Sequence, residues 1–199
     1  MGAGILPATI YNGKLYFLFG KENKYEDSAP GFSDFGGGTD NSETYLETAI
    51  REGVEELTGF LGNYEDIKKL LKKHGTYNID YKTNNNYRMH IFPMIYDPML
   101  PIYYNNNQKF IQEKLDPTII KSTKIFEKAE IKWICVDDIM KMRSKFRSYF
   151  QNIVDMIHSD KNEIKQFIEK SLKTNGKNKT NKNKTSKNKT LKKYSYRIK

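Results

Sequence analysis

Apolar residues follow two rhythms along this chain. In the first, short apolar runs stand between turn signals: Ile5 to Tyr11 and Lys14 to Phe19 flank Asn12-Gly13, the strongest short-range hairpin signal. Lys21 to Ser33 is polar around Pro30-Gly31 and reads as a loop, while Gly36, Gly37 and Gly38 read as a tight turn. In the second rhythm, Leu46, Ala49, Ile50, Gly53, Val54 and Leu57 recur at i, i+3, i+4 and i+7. That spacing predicts a helix over residues 46–57 with one apolar stripe. Thr44 and Glu47 make a capping-box pair that starts the helix near Tyr45, and Gly59 supplies a stop.

Both rhythms continue downstream. Tyr64 to His74 predicts a helix ended by Gly75, and Thr76 to Tyr81 and Tyr87 to Tyr96 predict an antiparallel pair across Lys82 to Asn86. His90, inside the second strand, reads as structural. Pro98 and Pro101 bracket a turn before a helix over residues 105–114. Glu127 to Val136 reads as a strand with Trp133 in the core, and Asp137-Asp138 as the cap of a helix from Ile139. Helical spacing in Phe146 to His158 and in Glu163 to Leu172 closes the domain.

At 199 residues the chain suffices for one domain with a sizeable core, expected over residues 1–172. No run of 18 apolar residues is present, so no membrane span is expected. The N-terminal segment lacks the charged start of a signal peptide, and the single Cys135 points to a reducing, intracellular setting, cytoplasmic with the nucleus open. The net charge of +10 is concentrated at one end. Residues 173–199 hold ten lysines and one arginine without an acid, so the rest is close to neutral. This stretch repeats KNKT at Lys177, Lys182 and Lys187, has few hydrophobes, and is expected to be a disordered basic tail. A flexible polycation attracts nucleic acid or polyphosphate, and Tyr194 and Tyr196 offer rings for base stacking. A merely solubilising tail is the competing reading.

On the predicted helix, Glu52, Glu55 and Glu56 share an arc of about 100° opposite the apolar stripe. Three such carboxylates make either a solvated acidic face or a site for a hard divalent cation.

The spacing Gly37, five residues, Glu43, seven residues, Arg51-Glu52, two residues, Glu55-Glu56 resembles the box of the Nudix hydrolases. Two positions depart from it: Gly53 stands where that family has a bulky aliphatic residue, and Leu57-Thr58 put one extra residue before Gly59. The first suggests a close helix–sheet contact, the second a changed helix exit. The resemblance implies an α/β fold, an α/β/α sandwich with a mixed sheet, over about Gly4 to Lys145. It implies Mg²⁺ or Mn²⁺ held by Glu52, Glu55 and Glu56 with the carbonyl near Gly37, while Glu43 and Arg51 orient the loop and helix. Glu55, Glu56, Arg51 and Glu130 are then the candidate catalytic residues, with Glu56 or Glu130 as general base and Glu127 the second choice for a remote carboxylate. Lys21 and Lys24 are candidate phosphate contacts. The implied activity is hydrolysis of a diphosphate linkage in a nucleotide-type substrate, capped RNA or a dinucleoside polyphosphate first. A diphosphoinositol polyphosphate or a nucleoside triphosphate is the alternative. A non-enzymatic RNA-binding module on the same scaffold is the third reading.

Overall fold

The computed structural model describes residues 1–24, 29–40, 42–82, 86–123 and 127–182, with side chains to residue 173. Strand β1 (Gly2–Tyr11) is the axis of a mixed seven-stranded sheet. One edge pairs in parallel with β6 (Tyr87–Pro93), which is joined antiparallel by β5 (Tyr77–Tyr81). The other edge is shared. Its C-terminal half pairs with β2 (Lys14–Glu22) through the Asn12-Gly13 hairpin, where both residues take the positive φ that such a turn demands. Its N-terminal half pairs with β4 (Phe35–Gly38). Strands β1 and β2 therefore part, and the segment from β3 (Phe32–Ser33) to β4 fills the wedge between them. Strand β7 (Lys128–Cys135) covers the remaining edge of β2.

Side-chain alternation sends residues to two cores. Ala3, Ile5, Leu18, Phe92 and Ile131 face helices α1 (Tyr45–Glu56), α2 (Tyr64–His74) and α3 (Met99–Lys114). Leu6, Ala8, Phe17, Phe19, Met89 and Ile91 face α6 (Gln151–Ser159) and α7 (Lys161–Lys182). The result is the expected three-layer α/β arrangement. Two short helices, α4 (Pro117–Ser122) and α5 (Val136–Ile139), complete the order; α4 falls between the predicted elements.

Several local expectations change. Gly36 to Gly38 form a strand, not a turn, and none has a positive φ. Glycine is needed there for close approach: a Cβ on Gly36 would lie 2.5 Å from the Ala3 carbonyl and collide with the Tyr87 hydroxyl. Helix α3 begins at Met99 rather than Asn105, since Pro98 sits at its N-cap and Pro101 in the first turn, where amides have no helical partner. Asp137 and Asp138 lie within the first turn of α5, behind an N-cap at Cys135. Trp133 is half-buried, with its indole N–H donating to Asp97 O at 3.0 Å. The backbone of α7 stays helical to Lys182, past residue 173 where disorder was expected. The basic repeats beyond Lys182, Tyr194 and Tyr196 lie outside the described residues, as do residues 83–85 of the loop between β5 and β6. No helix among the described residues is long and apolar enough to cross a membrane.

His90 is buried in β6, and its Nε2 has no hydrogen-bond partner among the described residues. Burial, reinforced by Arg88, lowers its pKa from 6.5 to about 4. A depressed histidine stabilises the fold above the unfolded-state value and loses that contribution as pH falls from 6.5 toward 4. The loss amounts to about 3 kcal/mol. Urea melts at pH 7 and pH 4.5 are expected to show this decline in the natural chain and a flatter dependence in His90→Leu.

Candidate metal centre

Helix α1 is built to present its second half to the glycine strand. Thr44 accepts from the Glu47 amide while the Glu47 carboxylate accepts from the Thr44 amide, closing the capping box. Ala49, Ile50 and Leu57 are buried, whereas Leu46, assigned to the same stripe, is 40% exposed because it lies at the first turn beyond the sheet. Gly53 brings the backbone against Ile5, leaving no room for a Cβ beside the Ile5 side chain. The extra residue before Gly59 is absorbed in the exit turn, where Thr58 and Gly59 both take positive φ.

The three box glutamates occupy three different environments, so they do not form one solvated face. Glu55 is half-exposed and touches Arg51 at 3.3 Å. Glu52 accepts from the same guanidinium at 2.8 Å and lies against Gly37, where a Cβ would come within 2.5 Å of its Oε1. Glu56 is 3% exposed; its Oε2 accepts from the Gly36 amide at 2.9 Å and its Oε1 lies 3.0 Å from Lys128 Nζ. One carboxylate oxygen each from Glu52, Glu56 and Glu127 gather within 4.8 Å of one another. Glu130, placed ahead of Glu127 by sequence, instead pairs with Lys21 at 3.6 Å across the β2–β7 ladder.

Arg51 is the organiser of the rim. Its Nε and one terminal nitrogen donate to the two oxygens of Glu43 at 2.9 and 3.1 Å, a bidentate geometry, and that same terminal nitrogen donates to Gly38 O at 3.0 Å. These hydrogen bonds hold the Glu43 carboxyl down at about 2. Loop, glycine strand and helix are thereby fixed to one guanidinium.

Behind the cluster lies a buried ionic network that sequence reading missed. Lys128, wholly buried, contacts Glu22 and Glu56 and donates to Ser33 Oγ at 3.2 Å; Arg147 also contacts Glu22. Burial works against the charge on Lys128, but Glu56 and Glu22 outweigh it and hold its pKa above the ordinary value. Under the glycine strand, Asp34 accepts from the Tyr87 hydroxyl at 2.8 Å, and burial pushes its pKa up to about 7. The sequence offered only a weak signal, Lys128 at the start of a strand that also carries Glu130 and Lys132.

Two cavities lie along the glycine strand and along the β2–β7 ladder, neither of them lined by Glu52, Glu56 or Glu127. One, of about 530 Å³, runs along Gly36 to Gly38 and is walled by Tyr81, Tyr87, Tyr149 and Ile153. The other, of about 570 Å³, is lined by Lys21, Lys24 and Lys109 together with Glu22 and Glu130. The two predicted phosphate contacts thus share one cavity, on the Glu130 side.

No family model matches the chain. Over 58 residues, 28% of its length, it is 47% identical to the uncharacterized protein L534 of Acanthamoeba polyphaga mimivirus, and the match spans 19% of that protein. Among solved structures it is similar to RenU, a Nudix hydrolase from M. smegmatis, at 13% identity over 82% of this chain and 86% of that one (TM-score 0.49). An Ap4A hydrolase of C. elegans matches at 15% identity over 80% of this chain and 96% of that one (TM-score 0.46). The MutT protein of Methanosarcina mazei Go1 matches at 14% identity over 80% and 93% (TM-score 0.44).

The donor set suits a hard divalent cation. It offers three carboxylates, one of them seated where only glycine leaves room, and Mg²⁺ and Mn²⁺ prefer such oxygen ligands.

Proposed function

We propose that the chain is a divalent-metal-dependent pyrophosphohydrolase of the Nudix type, cleaving a diphosphate linkage in a nucleotide-type substrate. The observation that carries this reading is the convergence of Glu52, Glu56 and Glu127 against Gly37, with Arg51 locking the box residues around them. Mg²⁺ or Mn²⁺ held by these carboxylates supplies positive charge for the diphosphate oxygens and makes a water more acidic.

The chain's own groups do the rest. Arg51 keeps Glu52 and Glu55 at the rim and Glu43 on the loop. The Gly36 amide and Lys128 fix both oxygens of Glu56. Glu55, half-exposed beside Arg51, takes the place of Glu56 and Glu130 as the carboxylate that would accept the proton of the attacking water, because both oxygens of Glu56 are engaged and Glu130 pairs with Lys21.

Substrate choice rests on the two cavities. Rings of Tyr81, Tyr87 and Tyr149 suit a planar base, and Lys21, Lys24 and Lys109 suit a second anionic group. A base against the tyrosines and further phosphates against the lysines would suit capped RNA or a dinucleoside polyphosphate better than a diphosphoinositol. The test is a Mg²⁺- and Mn²⁺-dependent hydrolysis panel of capped RNA, dinucleoside polyphosphate, nucleoside triphosphate, nucleotide sugar and diphosphoinositol. Turnover of the base-containing compounds, lost on chelation, is expected. Turnover of the diphosphoinositol alone would reverse the substrate ranking, and silence across the panel with metal bound would leave a binding module.

A further inference from the structure

Glu127 and Lys128 are neighbours in sequence, yet one joins the carboxylate cluster and the other runs into the protein behind it. The Lys128 ammonium has three N–H donors, and three acceptors surround it: Glu22 Oε1, Glu56 Oε1 at 3.0 Å and Ser33 Oγ at 3.2 Å. A solvated surface lysine has no such arrangement; this one is 0% exposed. Glu22 and Glu56 are themselves buried, 7% and 3% exposed, and come from strand β2 and helix α1. Both acids contact the same ammonium, which offsets their mutual repulsion in low dielectric.

We propose that Lys128 is a resident cation filling the position between Glu22 and Glu56 that a second divalent ion would otherwise take, so that the centre binds a single exchangeable ion at Glu52, Glu56 and Glu127. This rests on the pyrophosphohydrolase reading above and specifies its metal count. The charge pattern agrees. Arg147 and Lys128 stand against Glu22 and Glu56, and Arg51 against Glu52, so that the buried acids behind the cluster already have cations of the chain beside them. Because it is tethered to β7, the ammonium stays when the exchangeable ion leaves. Its contact at 3.0 Å holds the Glu56 carboxyl in place and pointed at the site in the metal-depleted protein, which makes it a positioning residue.

The experiment is a Mn²⁺ titration of the full chain followed by electron paramagnetic resonance, with thermal melts run in parallel. The natural chain is expected to bind one Mn²⁺ that is lost in Glu127→Gln. Lys128→Ala, which removes the ammonium and opens its space, is expected to bind two, and its melting temperature is expected to rise with Mn²⁺ more steeply than that of the natural chain. Two or more ions at these acids in the natural chain, or a folded Lys128→Ala that still binds one, would overturn the proposal. If Lys128→Ala does not fold even with Mn²⁺, the count in the natural chain decides by itself. No bound ion at all would remove the pyrophosphohydrolase reading as well, whereas two ions with hydrolysis intact would remove only this inference.

Discussion

Glu127→Gln is expected to weaken Mn²⁺ binding by at least about 100-fold, because even residues one shell outside a metal are worth about 10- to 100-fold in affinity. Turnover should fall with it. The instructive control is Glu130→Gln, three positions along: Glu130 faces Lys21 and the lysine-lined cavity, so its loss should leave metal affinity unchanged and, by removing a negative charge beside the lysines, lower KM for an anionic substrate. Equal losses of Mn²⁺ affinity in both variants would show that the cluster extends along β7 and that Glu127 has no special place in it.

The second large effect is expected at a buried residue. Glu22 accepts from both Lys128 and Arg147, so Glu22→Gln leaves two buried cations facing a neutral amide. Breaking a buried pair from one side costs about 3–5 kcal/mol, which in a chain of this size lowers the melting temperature by roughly 10 °C. Added salt should not change the loss, since screening acts on exposed charges. Adding Lys128→Met to Glu22→Gln should recover part of it by removing one of the stranded cations. The exposed Lys14–Asp137 pair at 3.2 Å is the contrast, and Asp137→Asn is expected to leave the melt where it was. A Glu22→Gln melt unchanged from the natural chain would mean that water reaches the network.

What the sequence made legible was local. The Thr44–Glu47 box, the Asn12-Gly13 hairpin and the limits of α2 depend on contacts within a few residues, and each element formed where its residues pointed. The close approach at Gly53 was legible too, because a glycine in a strong helix pattern needs a neighbour to justify it. What failed depended on distant partners. Gly36 to Gly38 looked like a turn because glycine's backbone freedom and its lack of volume leave the same letter in a sequence. Only the crossing of β1 and Tyr87 shows that volume was the reason. The acids of α1 looked alike on a helical wheel, yet Glu56 is sealed under residues that arrive from β2 and β7. The sequence places Glu130 ahead of Glu127, yet Glu127 is the one beside Glu52 and Glu56, since strand alternation does not say which end of the strand meets α1.

The same distances have a consequence during synthesis. Glu22 and Lys128 stand 106 positions apart, an interval of about 5–20 s at ordinary translation rates. Through that interval β2 has an edge that β7 has not yet covered, and Glu22 and Glu56 have to stay in water because their counter-charges do not yet exist. A nascent chain halted before Lys128 would therefore offer an open strand edge to its neighbours; β7 closes that edge and brings Lys128 to both acids, while Arg147 and the helices that cover the second face of the sheet follow later.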